Sequence, residues 1–185
     1  MSVPRYRIPA TIVIGVGTEL RGDAGFGAAV IEALRDQPVL GGRVQLAHCD
    51  GEPSRMIELW DGYSNALVVD AVRGGAERFG FLYRHDLTPA GDRRPSREPR
   101  AAPGRETGRD GHTSGFGSAL RLGGVLDRLP GRLILCAVHG RDFRPGAPLS
   151  PPVALVVPQL AVRITREILG VLSVARRDED PAGHR

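Results

Sequence analysis

The sequence contains no lysine, only two cysteines and few aromatic residues, and these shortages exclude several classes of protein. All 25 of its permanently cationic side chains are arginines, and against 21 acidic residues they leave a formal net charge of +4. Cys49 and Cys136 lie in apolar, strand-like runs, so they predict buried thiols in a reducing compartment and neither a disulfide framework nor a zinc site. Residues 1–9 lack the apolar segment of a signal peptide, so we expect none, and no apolar run is long enough to span a bilayer. We therefore expect a cytoplasmic protein that does not enter a membrane.

With 185 residues and 41% hydrophobic content, the chain is long enough for one domain with a substantial core. We place this domain at residues 1–175 and a polar tail at 176–185. Residues 84–111 are rich in arginine and proline and nearly devoid of apolar side chains, which predicts a flexible insertion. A nucleic-acid-binding arm is the alternative. Aromatic residues for base stacking are missing there and acidic residues dilute the charge, so we expect no nucleic-acid partner.

Strands alternate with helices along the whole chain, which predicts an α/β fold: a three-layer α/β/α sandwich around a mostly parallel sheet. Apolar runs bounded by glycine are typical of buried parallel strands. The strand after residue 78 is expected to be an antiparallel edge. The predicted strands begin at Thr11 and otherwise span Arg43–His48, Asn65–Val72, Phe79–Tyr83 and Arg132–Val138.

Helices are predicted between these strands from capping residues and helical spacing. The first includes Ala28–Leu34, and the second begins at Pro53, since proline suits the first turn of a helix. The final helix should begin at Ser150 and Pro151 and be kinked or divided by Pro158. Its core face is predicted to be Leu160, Ile164, Ile168 and Leu172, and that of the preceding helix Ala119, Leu122, Leu126 and Leu129.

A glycine-rich turn follows the first strand, and it does not match a nucleotide-binding loop. Gly15 and Gly17 supply two glycines of a dinucleotide fingerprint, but Leu20 occupies the position of the third, which permits close helix–strand packing. The Gly-Lys-Ser/Thr of a phosphate loop is also missing. Glu19 and Asp23 would repel a pyrophosphate and attract a cation. The alternative is an ordinary tight turn with solvated carboxylates.

Acidic residues follow three of the predicted parallel strands, where ligands usually bind in such sheets. Asp23 follows the first strand and Glu52 the second, Asp70 ends the third, and His112 precedes a helix. A carboxylate after an apolar strand is expensive to desolvate unless something pairs with it. Carboxylate and imidazole ligands together suit a borderline divalent ion such as nickel or zinc. Each residue also has a structural alternative: a turn or cap for the aspartates, a helix-start carboxylate for Glu52, and a loop position for His112.

Taken in order, these residues resemble the [NiFe]-hydrogenase maturation proteases from about Thr11 to Leu172. The order and spacing of the segments carry the resemblance, since none of them is specific by itself. The matching positions are Gly15, Gly17, Leu20, Asp23, Gly25 and Gly27 near the amino terminus; Val68–Val72 around Asp70; His112, Gly115 and Leu120; Asp142 and Phe143; and Leu149–Val153.

The resemblance implies a monomeric cytoplasmic endopeptidase of the aspartic-type class that removes a carboxyl-terminal extension from the hydrogenase large-subunit precursor after nickel insertion. It implies no cofactor of the protein's own. Instead Asp70 and His112 would contact the nickel of the substrate. Water would attack the peptide bond with assistance from the metal or a carboxylate, for which Asp23 and Asp70 are the candidates.

Two positions depart from the family pattern. Thr18 stands where the family has asparagine, and Ala24 stands where the family has a second acidic residue, the expected third metal ligand. We predict that Asp23 or Glu52 supplies the missing oxygen, with Glu52 placed in the metal set beside Asp70 and His112. The alternative is a hydrogenase-assembly binding factor that keeps the fold and has lost cleavage.

Overall fold

Five strands form one sheet in the computed structural model, which describes residues 11–88 and 114–178. In chain order they are β1 Thr11–Val16, β2 Gln45–Cys49, β3 Asn65–Arg73, β4 Leu82–Asp86 and β5 Arg132–Gly140. The spatial order is β2-β1-β3-β5-β4, with all neighbours parallel except the edge strand β4, which runs antiparallel to β5. The predicted antiparallel edge and the predicted fold class are confirmed.

Helices cover both faces of this sheet, as a mostly parallel sheet requires. They are α1 Phe26–Arg35, α2 Pro53–Trp60, α3 Ser114–Val125 and α4 Pro151–Asp178. One apolar cluster joins α1 and α4 to the sheet, and a second joins α2 and α3 to its other side. We call these sides the α1/α4 face and the α2/α3 face. The predicted helix starts at Pro53 and Pro151 are confirmed.

Alternate residues of the central strands belong to opposite faces. In β3, Leu67 and Val69 pack on the α1/α4 face, whereas Ala66 and Val68 pack on the α2/α3 face. Because both sides are buried, the strand is almost continuously apolar, and this produced the clear strand signal in the sequence. β3 continues to Arg73, so Asp70 lies within the strand and does not end it as predicted. The extra residues pair with β5 up to its last residue.

Two glycines allow α1 to lie directly against β1. A Cβ atom on Gly15 would lie 2.4 Å from the carbonyl oxygen of Gly27, and one on Gly27 would lie 2.4 Å from the backbone nitrogen of Val16. Neither position has room for a side chain. In a dinucleotide fingerprint the third glycine permits close packing of helix on strand, and here Leu20 occupies its position. In this protein Gly27 permits that close packing instead.

The core face of α3 differs from the predicted one. Ala119 is buried as expected, but the side chains of Leu122 and Leu126 are 41% and 50% exposed. Phe116 and Ala119 are the buried apolar side chains of the helix, and Leu129, which follows it, packs against the same cluster as predicted. Leu126 follows the last residue of the helix, so helical spacing does not extend to it.

Proline does not divide α4, contrary to one of the two predicted effects. The helix runs unbroken past Pro158, and Leu160, Ile164 and Ile168 form its buried face as predicted. Pro158 lies on the exposed side of the helix. Water can therefore satisfy the backbone carbonyl that loses its intrahelical partner. The side chain of Leu172 lies outside the described part of the chain.

Two segment boundaries also differ from prediction. β4 extends to Asp86, so the first residues of the expected insertion at 84–111 belong to the sheet, and 89–111 lie outside the described residues. α4 reaches Asp178, which carries helix into the expected tail. Glu167 of α4 accepts hydrogen bonds of 2.9 Å from both Arg84 and Arg132, which ties the helix to β4 and β5. Within the described residues, no helix combines the length and apolarity needed to cross a membrane.

Candidate functional site

Asp70 belongs to a row of side chains that crosses three strands of the sheet. The strand register pairs Asp70 with Ala137 of β5 and pairs Ala137 with Tyr83 of β4. Paired residues in neighbouring strands point to the same face. Because Val68 and Val72 pack on the α2/α3 face, Asp70 between them points there as well. Asp70 and Tyr83 therefore flank the small side chain of Ala137, toward the carboxyl ends of β3 and β5.

The Asp70 carboxyl group is buried with little compensation. The residue is 8% exposed, and its Oδ1 accepts one hydrogen bond, of 2.7 Å, from the backbone N–H of Ala71. Burial raises the pKa of Asp70 to about 7, against the weaker lowering effect of that hydrogen bond. No ion pair within the described residues involves Asp70. A buried carboxyl group without a counter-charge is typical of sites that receive a cation or exchange a proton.

Asp23 is also buried, but every lone-pair direction of its carboxylate is engaged by a donor. Its Oδ1 accepts from the Ser150 backbone N–H at 2.8 Å and the Ser150 hydroxyl at 2.6 Å. Its Oδ2 accepts from the backbone N–H groups of Arg141 and Asp142 at 2.8 and 3.0 Å. Burial acts to raise the pKa of Asp23, but these four hydrogen bonds outweigh it and the pKa is lowered. Asp23 is thus an ionised clamp on the connection between β5 and α4.

Close backbone contacts reinforce this clamp. Gly22 has a φ of +56°, and a Cβ atom there would lie 2.2 Å from the Asp142 carbonyl oxygen. That carbonyl accepts a 2.6 Å hydrogen bond from the Asp23 N–H. A Cβ atom on Gly140 would lie 2.7 Å from the Cβ of Asp23. The turn after β1 and the loop after β5 are therefore held together as one rim of the sheet.

Glu52 caps the amino terminus of α2. Its Oε2 accepts a 2.8 Å hydrogen bond from the Arg55 N–H and another from the Ser54 hydroxyl. The Ser54 hydrogen bond, followed by the backbone donors, lowers the pKa of Glu52, which is exposed. This is the helix-start role that the sequence analysis kept as the alternative to metal binding. Within the described part of the chain, no hydrogen bond or ion pair joins Glu52, Asp23 and Asp70 to one another.

The remaining predicted positions supply no further ligand within the described residues. Ala24 is 6% exposed and packs in the apolar cluster on the α1/α4 face, where its methyl group offers no oxygen. His112 lies outside the described residues, two positions before α3 begins at Ser114. In the ranges that are described, no three histidine, cysteine, aspartate or glutamate residues group so as to hold a metal ion.

The start of α3 lies at the edge of the sheet where β2 ends. A Cβ atom on Gly115 would lie 2.1 Å from the carbonyl oxygen of Gly51, which follows β2. Phe116, in the same turn of α3, packs in the cluster on the α2/α3 face, edge-on to Trp60. The chain therefore enters α3 over the face on which Asp70 lies, at the carboxyl ends of the parallel strands.

Sequence reasoning missed three features of this edge of the sheet. Tyr83 shares the sheet row of Asp70, and the Arg141 guanidinium lies 4.8 Å from the centre of the Phe79 ring. Ser150 was predicted to begin a helix, but its hydroxyl bond to Asp23 was not foreseen. The alternation of apolar and polar residues does not identify these neighbours, because strand register depends on contacts between distant segments.

Proteins of hydrogenase maturation are similar to this chain in sequence or in fold. No protein-family model matches the chain. The hydrogenase expression/formation protein HupD of Rhizobium leguminosarum bv. viciae is 26% identical over 175 residues, which cover 91% of this chain and 79% of that protein. The hydrogenase maturating endopeptidase HybD from E. coli superposes with a TM-score of 0.63 at 17% identity, covering 91% of this chain and 93% of that one. A hydrogenase 2 maturation peptidase from Thaumarchaeota archaeon SCGC_AB-539-E09 gives 0.56 at 23%, covering 88% and 99%. The two solved structures share this fold.

Proposed function

We propose that this chain, which belongs to the hydrogenase maturation protease family, is an endopeptidase that removes the carboxyl-terminal extension of a nickel-loaded [NiFe]-hydrogenase large-subunit precursor in the cytoplasm. The observation that carries this proposal is the buried Asp70 carboxyl group, which has one hydrogen bond and no counter-charge among the described residues. A metal ion brought by the substrate would supply that charge. The protein then needs no metal of its own.

In this proposal Asp70 is the group that meets the substrate's nickel, together with His112. The start of α3 over the Asp70 face supports the pairing, since only Thr113 separates His112 from that helix. The Asp70 Oδ1 accepts the Ala71 hydrogen bond, so Oδ2 is the oxygen left for the metal ion and the attacking water. We infer that Asp70 takes a proton from the attacking water and later returns it to the leaving amine.

Asp23 has a different part in the proposed reaction from that of Asp70. Both of its oxygens are engaged by Ser150 and by the backbone after β5, which leaves none for a metal ion or a water molecule. We therefore propose that Asp23 is a positioning residue, which keeps the rim of the sheet in place around the substrate. The oxygen missing at Ala24 then falls to Glu52.

Glu52 is exposed and leaves its capping position at modest cost, because an amino-terminal cap contributes about 1 kcal/mol. Titration of the wild type with nickel or cadmium should give a higher affinity than titration of Glu52→Gln. Glu58→Gln, which changes an exposed acid on the outer side of the same helix, is the matched control. Equal affinities of all three proteins would remove Glu52 from the metal set.

The function itself is tested with purified nickel-loaded precursor. The wild type should shorten the precursor by the mass of its extension, as read by mass spectrometry of the intact protein. Asp70→Asn should leave it intact, whereas Glu58→Gln should cleave like the wild type. An unchanged precursor mass after prolonged incubation with the wild type would contradict the proposed endopeptidase.

One observation favours a second candidate, a hydrogenase-assembly binding factor without cleavage activity. Ala24 removes an acidic side chain from the position where the family is expected to provide a metal ligand, and its methyl group is buried among apolar residues. Such a factor would form a stable complex with the precursor. Co-elution of the two proteins without a change in precursor mass would identify it.

A further inference from the structure

Tyr83 places a phenol two strands away from the Asp70 carboxyl group, on the same face of the sheet. Asp70, Ala137 and Tyr83 occupy consecutive strands of the sheet in one row and share the α2/α3 face. Cβ atoms of directly paired residues lie about 5 Å apart, and the residue between these two side chains carries only a methyl group. A substrate that reaches Asp70 therefore comes within the reach of Tyr83.

The ring of Tyr83 is held on two sides, and its hydroxyl has no hydrogen-bond partner among the described residues. Its centroid lies 5.1 Å from the ring of His85 and 5.1 Å from the ring of His139. The ring also packs against the apolar cluster on the α2/α3 face. Within the part of the chain that the structure describes, no residue forms a hydrogen bond with the Tyr83 hydroxyl, and this oxygen is not one of the buried atoms that lack a partner. No described residue therefore competes with a substrate for this hydroxyl.

The protonation state of this phenol suits donation. Burial, and then the negative charge of Asp70, raise the pKa of Tyr83 to about 12. The hydroxyl therefore keeps its proton throughout the neutral range, even when Asp70 is ionised. A neutral phenol beside a carboxylate can give a hydrogen bond to a carbonyl oxygen without losing the proton.

We propose that the Tyr83 hydroxyl is a further catalytic residue, which donates a hydrogen bond to the carbonyl oxygen of the peptide bond to be cleaved. This inference rests on the proposed endopeptidase function. Water attacks the carbonyl carbon and forms a new C–O bond, its proton passes to Asp70, and the carbonyl electrons move to the oxygen that faces Tyr83. When the C–N bond breaks, the carbonyl re-forms, and the proton on Asp70 goes to the leaving amine.

The expected effect of removing this donor is large and confined to the chemical step. Loss of one hydrogen-bond donor to a developing oxyanion lowers kcat by about a hundredfold or more in other acyl-transfer enzymes. Tyr83→Phe keeps the ring and its two contacts with histidine and deletes only the hydroxyl. Tyr63→Phe makes the same chemical change at the turn after α2 and serves as the matched control.

The test measures kcat, KM and thermal unfolding for the wild type and both variants with nickel-loaded precursor. We expect Tyr83→Phe to lose about a hundredfold in kcat, with KM, nickel affinity and melting temperature as in the wild type, and Tyr63→Phe to be unchanged. An unchanged kcat in Tyr83→Phe overturns the inference. A fall in kcat accompanied by an equal loss of nickel affinity also overturns it, since the hydroxyl would then serve the metal.

Failure of the proposed function is distinguished by the wild type alone. If the wild type binds the precursor without cleaving it, the endopeptidase proposal fails, and Tyr83 is tested through precursor affinity. A loss of about tenfold in Tyr83→Phe, the size expected for one hydrogen bond to substrate, then supports contact between the hydroxyl and the substrate. Equal dissociation constants for the wild type and Tyr83→Phe overturn it.

Discussion

Replacing Asp70 with asparagine should stabilise the free protein at neutral and alkaline pH, and the gain should disappear toward acid. The two side chains have nearly the same shape, and the Ala71 N–H retains an oxygen acceptor. They differ in that the aspartate ionises. Burial raises the pKa of Asp70 from 3.8 to about 7, so the folded protein resists this ionisation and the unfolded chain does not.

The sign follows from proton binding in the two states. Between about pH 4 and 7 the unfolded chain holds fewer protons at this residue than the folded protein, so the free energy of unfolding of the wild type falls as pH rises. At about 1.4 kcal/mol for each pH unit in that interval, the total is about 4 kcal/mol, which is an upper limit. The asparagine amide brings a buried N–H group without an acceptor, which costs about 1–3 kcal/mol at every pH. The pH-dependent part is therefore the quantity to measure.

Urea unfolding of wild type and Asp70→Asn between about pH 5 and pH 8, with a chelator present, isolates this part. The stability of the variant relative to the wild type should increase by about 2–3 kcal/mol across the range. Glu58→Gln, which alters an exposed acid, should show no such increase. A difference between Asp70→Asn and wild type that stays constant with pH would refute the claim that the buried carboxyl group lacks compensation.

Further predictions concern the rim of the sheet and its packing. Asp23→Ala leaves four donors without an acceptor, and we expect it to lower the free energy of unfolding by about 3 kcal/mol at neutral pH in urea titrations. Because the pKa of Asp23 is lowered, this contribution is lost as pH falls through that pKa, so the variant and the wild type should converge in acid. Gly27→Ala should destabilise the protein by more than about 3 kcal/mol, since the new methyl group would meet the backbone of Val16. Gly170→Ala, on an exposed helical position with open space around it, should instead raise the melting temperature slightly.

The close packing of α1 on β1 shows how far a local motif can mislead. Leu20 in place of a third glycine excluded a dinucleotide fingerprint, and that exclusion did not depend on the structure. The structure shows that close packing is nevertheless present and uses Gly15 and Gly27. Spacing identified which motif is missing, but only the contact between strand and helix showed which residue serves the packing.

The predicted stripe on α3 is only partly correct, for a related reason. Of the four predicted residues, Ala119 is buried and Leu129 packs against the cluster on the α2/α3 face, whereas Leu122 and Leu126 are exposed. The large apolar side chain that α3 buries is Phe116, which the stripe did not include. Periodicity gives the angular separation of side chains and not the rotation of the helix about its axis. The rotation depends on what the helix packs against, here the sheet and Trp60 of α2.

The sequence by itself determined the alternating elements, the parallel core and the positions of the acidic residues near the strand ends. These properties are local, because a strand buried on both faces must be apolar along its length and a helix start needs a particular cap. Only the tertiary structure decided which structural or chemical role each of these acidic residues has. Asp23 meets Ser150 from far along the chain and becomes a saturated clamp, whereas Asp70 is left with one hydrogen bond beside Tyr83. Strand register and loop packing bring together segments that are distant in sequence. The spacing of residues along the chain therefore does not reveal which of the two buried carboxylates will be surrounded by hydrogen-bond donors.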